Sequence, residues 1–310
     1  MTMAIAKRHQ SGLSLLLMLL IIVGIGGALL VAAASPHRQK LAIDEKTQLA
    51  LRQAKEALIA WSAAHRTTPG RLPCPEDTSL IGSPNEGNAQ SSCTITGFHK
   101  GRLPWRTLGL DNPRDSFGEP LWYVLSPGFR QTPVIGSAGV ATGQLQLDGV
   151  VSDTAALIIA PGPALTGQTR PPVSLASPPL PGNYLDLGNA GGAFISTGPA
   201  GTFNDRVIAV SSQELYRAMT FRVLAEIRGA YGVQNGLRRH YNDNGSFPPN
   251  GTALTALIFD NATRSWLSPV SNPNLWFAQI AYSQLTPASA RLTMGSTTLT
   301  VQPCLTTPCP

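Results

Sequence analysis

Apolar positions along this chain fall into three patterns, and each predicts a different element. The first is continuous: from Leu13 to Ala34 no residue carries a charge. At about 1.5 Å per residue a helix of that length reaches about 33 Å, against about 30 Å for a hydrocarbon core. The expectation is a single membrane-spanning helix. The second pattern is periodic. Between His37 and about His65, Leu41, Leu49, Leu51, Ala54, Leu58, Ile59 and Trp61 recur at helical spacing, with Arg52, Lys55 and Glu56 between them. That periodicity predicts an amphipathic helix, ended by Thr67-Thr68-Pro69-Gly70. A second helix is expected from Gln213 to about Tyr241, carrying Leu215, Met219, Val223, Leu224, Ile227 and Leu237 and interrupted by Gly229, Gly232 and Gly236. The third pattern is short runs bounded by turn formers. LWYVLS, ALIIA and RVIAV read as buried strands, and the alternation in ARLTMGSTTLTVQP reads as a hairpin turning at Gly295-Ser296.

Composition narrows the picture. A chain of 310 residues has room for about two domains. Charged residues make up 13%, well below the roughly 25% of an average globular protein, while Gly (30) and Pro (26) are abundant. Such a chain folds, and it is rich in loops. The net charge of +6 comes from scattered basic residues with no stripe and no nucleic-acid module, so no nucleic acid is expected as a partner. Lys7 and Arg8 precede the apolar run and Arg38, Lys40 and Lys46 follow it, so the positive-inside rule does not fix an orientation.

Four cysteines form two local pairs, Cys74 with Cys93 and Cys304 with Cys309. Two disulfides in an oxidising compartment are expected. The alternative is a four-thiolate metal site, which the spacing disfavours because neither pair is C-x2-C.

The stretch KRHQSGLSLLLMLLIIVG resembles a type IV prepilin leader, a short basic tail ending in Gly12 followed at once by an apolar helix. The resemblance implies cleavage by a prepilin peptidase between Gly12 and Leu13 and N-methylation of Leu13. It extends over roughly residues 12–228 through GRLPCPED, GRLPWRTLGLDNPRDSFGEPLWYVLSP, AALIIAPGPALTGQTRP and FNDRVIAVSSQEL, which are similar to long prepilin-like proteins of pilus or type II secretion loci. Where major pilins carry a glutamate five residues after the cut, this chain has Leu17. A minor or tip subunit, a minor pilin or pseudopilin, is therefore implied.

No constellation of catalytic residues emerges. G-x-S-x-G, H-E-x-x-H, P-loop and dinucleotide patterns are all missing, and the five histidines lie far apart in sequence. No enzymatic activity and no cofactor are expected. Some pseudopilins bind calcium, and Asp111, Asp115 and Glu119 in DNPRDSFGEP are weak candidates for such a site, with a salt-bridged turn as the competing reading. In the apolar run Gly24 and Ala28 form a small-xxx-small pair suited to close helix packing, or else reflect the ordinary tolerance of glycine in membrane helices. Pro36 marks either a kink in one long helix or a break between two.

Taken together, the residues predict an α+β fold: a long N-terminal membrane-spanning helix continuing into a pilin-like globular part with an antiparallel sheet, with a second helix-plus-β unit left open. The expected divisions are a leader at 1–12, transmembrane and amphipathic helix at 13–66, a disulfide-containing α+β domain at 67–212 and a second helix with β structure at 213–310. The expected location is the bacterial inner membrane, single-pass, with the globular part periplasmic and a place in or at the tip of a filament. Expected partners are prepilin peptidase, other pilin or pseudopilin subunits, the inner-membrane assembly platform and the lipid bilayer. The competing function is a membrane-anchored or secreted periplasmic binding protein or adhesin.

Overall fold

The computed structural model describes residues 15–25, 36–93, 97–130, 145–199, 201–229, 235–251, 254, 257, 259, 265–267 and 276–304. The chain divides into two units, 1–48 and 49–310.

In the first unit residues 15–25 are helical (α1) and every one is exposed. A second helix, α2 (Pro36–Ala64), starts in this unit with proline at its first position, where a missing N–H costs nothing. Among the described residues the expected membrane-spanning helix is not found: no helix is long and apolar enough to cross a membrane. The helix that begins at Pro36 carries Arg38, Lys40, Asp44, Glu45 and Lys46 in its first turns. The expected single-pass inner-membrane location with a periplasmic body is corrected with it. Gly12, Leu13 and Ala28 lie outside the described residues. Leu17 is 57% exposed, and a Cβ on Gly24 would meet open space.

The second unit is built on two antiparallel sheets. The first contains β1 (His99–Arg102), β2 (Trp122–Leu125), β3 (Leu145–Leu147), β4 (Val150–Ala160) and β5 (Arg206–Ser211), with β4 paired to β2, β3 and β5. LWYVLS, ALIIA and RVIAV, expected as buried strands, lie in β2, β4 and β5. Successive side chains alternate between faces, and both faces are apolar. Tyr123, Leu125, Ala156, Ile158, Ala160 and Val210 enter one core, whereas Trp122, Val124, Leu157 and Ile159 enter another.

The first core is the larger. Ala50, Leu51, Ala54 and Leu58 of α2 join it, with Leu215, Met219, Val223, Leu224 and Ile227 of α5 (Ser212–Arg228). On its far side α5 packs against the second sheet, β6 (Ile280–Thr286), β7 (Ser289–Met294) and β8 (Thr297–Val301), through contacts with β7 and β8. The hairpin read at Gly295-Ser296 connects β7 to β8. One core thus runs from Ala50 to Val301, across residue 212. The second face of the first sheet is covered by segment 181–199, which includes the short helices α3 (Pro181–Tyr184) and α4 (Leu187–Gly191) and contributes Tyr184, Leu185 and Phe194.

Lys55 fastens α2 in place. Its Nζ lies 2.6 Å from Glu214 Oε1 and donates to Ala209 O at 2.8 Å. Glu214 also completes a capping box with Ser211, so one carboxylate ends β5, starts α5 and anchors α2. Burial opposes its ionisation, but the bonds from Lys55 and Ser211 win and hold its carboxyl below the ordinary value. At the other end of α2, Arg222 of α5 donates to Ala63 O and, at 2.7 Å, to His65 O, satisfying carbonyls that the helix leaves open.

The single helix expected over 213–241 is instead two. Between α5 and α6 (Gly236–Asn244) the chain passes through Gly229 and Gly236, both at positive φ (83° and 62°). A Cβ on Gly236 would lie 2.2 Å from Ile227 O, so the backbones meet too closely for any side chain. Gly236→Ala is therefore expected to lower stability by roughly 2–4 kcal/mol in urea unfolding, from strain plus overpacking. Gly182→Ala, where a Cβ meets nothing within 4 Å, should change it by no more than about 0.5 kcal/mol.

Candidate functional site

Of the two GRLP stretches of the sequence, the second lines a polar cleft through Arg102. In the first, Pro73 O accepts a 3.0 Å bond from Tyr123 Oη, and the following Cys74 is bonded to Cys93 with Cα atoms 5.9 Å apart. This closes a loop of sequence separation 19. In the second, Arg102 ends β1 with only 8% of its surface exposed.

Arg102 is shared by two acids from the disulfide loop. Its Nε donates to Oε2 of Glu76, and its Nη2 to Oε1 of Glu86 at 3.1 Å. Glu76 is 1% exposed, and its backbone N–H donates to Arg102 O at 3.0 Å. Burial pushes the Glu76 carboxyl up despite its arginine. Glu86, nearer solvent, is held below the usual carboxylate value, first by the Gly82 N–H at 2.9 Å and then by Arg102, against a desolvation that opposes both.

The opposite wall comes from the turn at Arg114 to Glu119 and from the loop after β4. Asp115 is fully buried: Oδ1 accepts from Phe117 N and Glu119 N, both at 2.9 Å, and Oδ2 from Gly162 N at 2.9 Å. That carboxylate pins the turn to the end of β4. Glu119 Oε1 lies 2.9 Å from Arg170 Nη1. Arg170 also donates to Gly162 O, Gln168 Oε1 and Tyr184 O, and its guanidinium stands 5.4 Å over the Tyr184 ring. Between the walls lies a cleft of about 400 Å³, lined by Glu86, Arg102, Arg114, Glu119, Arg170 and Tyr184 among others.

Charged side chains dominate its lining. Guanidinium groups and carboxylates alternate around it, and among the described residues no histidine, cysteine or serine lines it. Arg114, on the exposed rim, spends one bond on Gly118 O at 2.7 Å.

The sequence-predicted sites fare differently from one another. Cys74 and Cys93 are joined as expected, which also removes them from any four-thiolate metal site. Cys304 is disulfide-bonded, and Cys309 lies outside the described residues. Of the calcium candidates, Asp111 is exposed, Asp115 gives its oxygens to backbone amides and Glu119 pairs with Arg170. No group of three acidic, histidine or cysteine side chains able to hold a metal occurs among the described residues. The turn is fastened by backbone bonds to Asp115 and by the pairing of Glu119 with Arg170 from outside it, while its own Arg114 donates to Gly118 O. Sequence reasoning missed Glu76, Arg102 and Arg170, whose partners lie far away along the chain. The only signal was the recurrence of GRLP. Comparison with protein-family models, with curated proteins and with solved structures gives no match.

Removing Arg102 leaves Glu76 buried without its cation. Arg102→Ala is expected to cost about 3–5 kcal/mol in urea unfolding, the usual penalty for breaking a buried pair from one side. Arg102→Lys should recover only part of this, since an ammonium lacks the fork that reaches both glutamates. The double variant Glu76→Leu/Arg102→Met should recover more, because no unpaired buried charge remains.

Proposed function

We propose that this chain is a non-catalytic structural subunit of the type IV pilin-like class, a minor pilin or pseudopilin of a pilus or type II secretion system. In this reading prepilin peptidase cleaves between Gly12 and Leu13, Leu13 becomes the N-methylated first residue, and the partners are other subunits of the same class and their assembly platform. The observation that carries the reading is the order of parts. A basic tail ending in Gly12 is followed by an uninterrupted apolar run, then by a helix whose later turns lie on an antiparallel sheet. The disulfide loop and the double GRLP stretch support it, because they coincide with the segments in which the chain resembles long prepilin-like proteins.

The cleft between the disulfide loop and Arg170 supports a second reading, a binding protein for a small polar ligand. N-terminal mass analysis separates the two. Expressed with a prepilin peptidase, the wild-type chain should begin at N-methylated Leu13, and Gly12→Ala should abolish that product. A chain of identical mass with and without the peptidase would contradict the subunit reading and leave the binding protein.

A further inference from the structure

Segment 181–199, which covers the second face of the first sheet, is held by two buried carboxylates that grip each other's backbone. Asp186, the residue before α4, is 4% exposed, and Asp205, the residue before β5, is 1% exposed. Asp186 N donates to Asp205 Oδ2 at 3.0 Å, and Asp205 N returns the bond to Asp186 Oδ2 at 3.1 Å. Asn204 N joins on Asp186 Oδ2 at 2.7 Å, and Gln168 Nε2 on Oδ1 at 3.2 Å. Asn189 of α4 donates to Asp205 Oδ2 at 2.8 Å and accepts from Ile195 N at 2.8 Å, carrying the connection through the segment. One atom of this network is left over: Asp205 Oδ1 is buried and has no hydrogen-bond partner among the described residues.

An ionised carboxylate with a bare buried oxygen, set against a second carboxylate, is unfavourable. A proton on Asp205 removes the penalty. The charged groups around it are Asp186 at the start of α4, Arg170 from the loop after β4 with its ion partner Glu119, and Arg206 on β5, whose side chain is exposed. Beyond α4, Lys100 of β1 donates to Asn189 O at 2.8 Å and to Ala190 O, clamping the other end of the same short helix. Arg170 opposes the penalty at Asp205 and is itself engaged by Glu119 and three carbonyl oxygens.

We propose that Asp205 is a proton-operated latch, closing segment 181–199 on the sheet when neutral and releasing it when ionised. Because Tyr184 belongs to that segment and lines the cleft, the latch also sets one wall of the cleft. The latch does not depend on the subunit reading of the preceding section.

The direction follows from the shift. Burial raises the Asp205 carboxyl from 3.8 to about 7, with Asp186 adding to the rise and Asn189, the Asp186 amide and Arg170 opposing it. A group raised on folding contributes stability that is complete below its unfolded value and is lost as pH climbs through the folded one. The segment is therefore held most tightly well below neutral pH, loosens progressively as pH rises toward about 7 and loses nothing further above it.

Hydrogen exchange of the full chain between pH 5 and 8.5, corrected for the intrinsic pH dependence of amide exchange, tests this. In the wild type, protection of 181–199 relative to β4 should fall by about tenfold or more between pH 5 and about 7 and level off above it. In Asp205→Asn, whose amide imitates the neutral acid, it should stay flat. Equal loss in the variant would overturn the latch. Should the variant not fold, the wild-type profile decides alone, because protection that is flat across the range is incompatible with the proposal.

Discussion

A strand whose successive side chains are all apolar has no face to turn to water, and Ala155 to Ala160 in β4 is such a strand, with every residue at 0% exposure. Antiparallel sheets commonly leave one face wet. Here that is impossible, so the chain must supply two covers, and the rest of the second unit follows from how it does so. The first cover is extensive: α2 and α5 lie on the sheet, and α5 is itself covered by the second sheet. The second cover is one segment of short helices and turns with a small core around Trp122, Tyr184 and Phe194.

The two covers differ in what fastens them. The helical side is held by broad apolar burial and reinforced where Lys55, Glu214 and Ser211 knot α2 to the junction of β5 and α5. With little apolar area to bury, the other side depends on polar atoms: Asp186 and Asp205, Asn189, Arg170 and Lys100. Buried polar networks are worth a good deal when every atom is satisfied and are fragile when one is not. An unpartnered oxygen on Asp205 in the thinner cover makes that side sensitive to its surroundings in a way the helical side is not.

Much of this was legible in the residues. Branched and aromatic runs bounded by turn formers marked β2, β4 and β5, because a strand buried on both faces announces itself by lacking alternation. Helical spacing marked α2, and strict alternation marked the β7–β8 hairpin. The failures have physical causes. The charge-free run from Leu13 satisfied a length criterion, yet among the described residues no helix is long and apolar enough to cross a membrane. The helix expected through residue 241 breaks because Gly229 and Gly236 take positive φ to let two backbones approach, a requirement set by packing rather than by local preference. Glu76 with Arg102, and Asp186 with Asp205, could not be found by spacing at all, since folding brings them together across loops. Lys55 carried no signal beyond its place between apolar positions, because its role depends on Glu214 arriving from far along the chain.

The second unit stands on the double burial of β4 and the inequality of its two covers. Native-state hydrogen exchange in increasing denaturant, at fixed acid pH, measures both directly. The amides of Leu157, Ile158 and Ile159 should be among the last to exchange and should open together with α5 in the global transition, while those of 181–199 exchange through an earlier, lower-energy opening. Amides of β4 that exchange before or together with 181–199, leaving α5 protected, would contradict it.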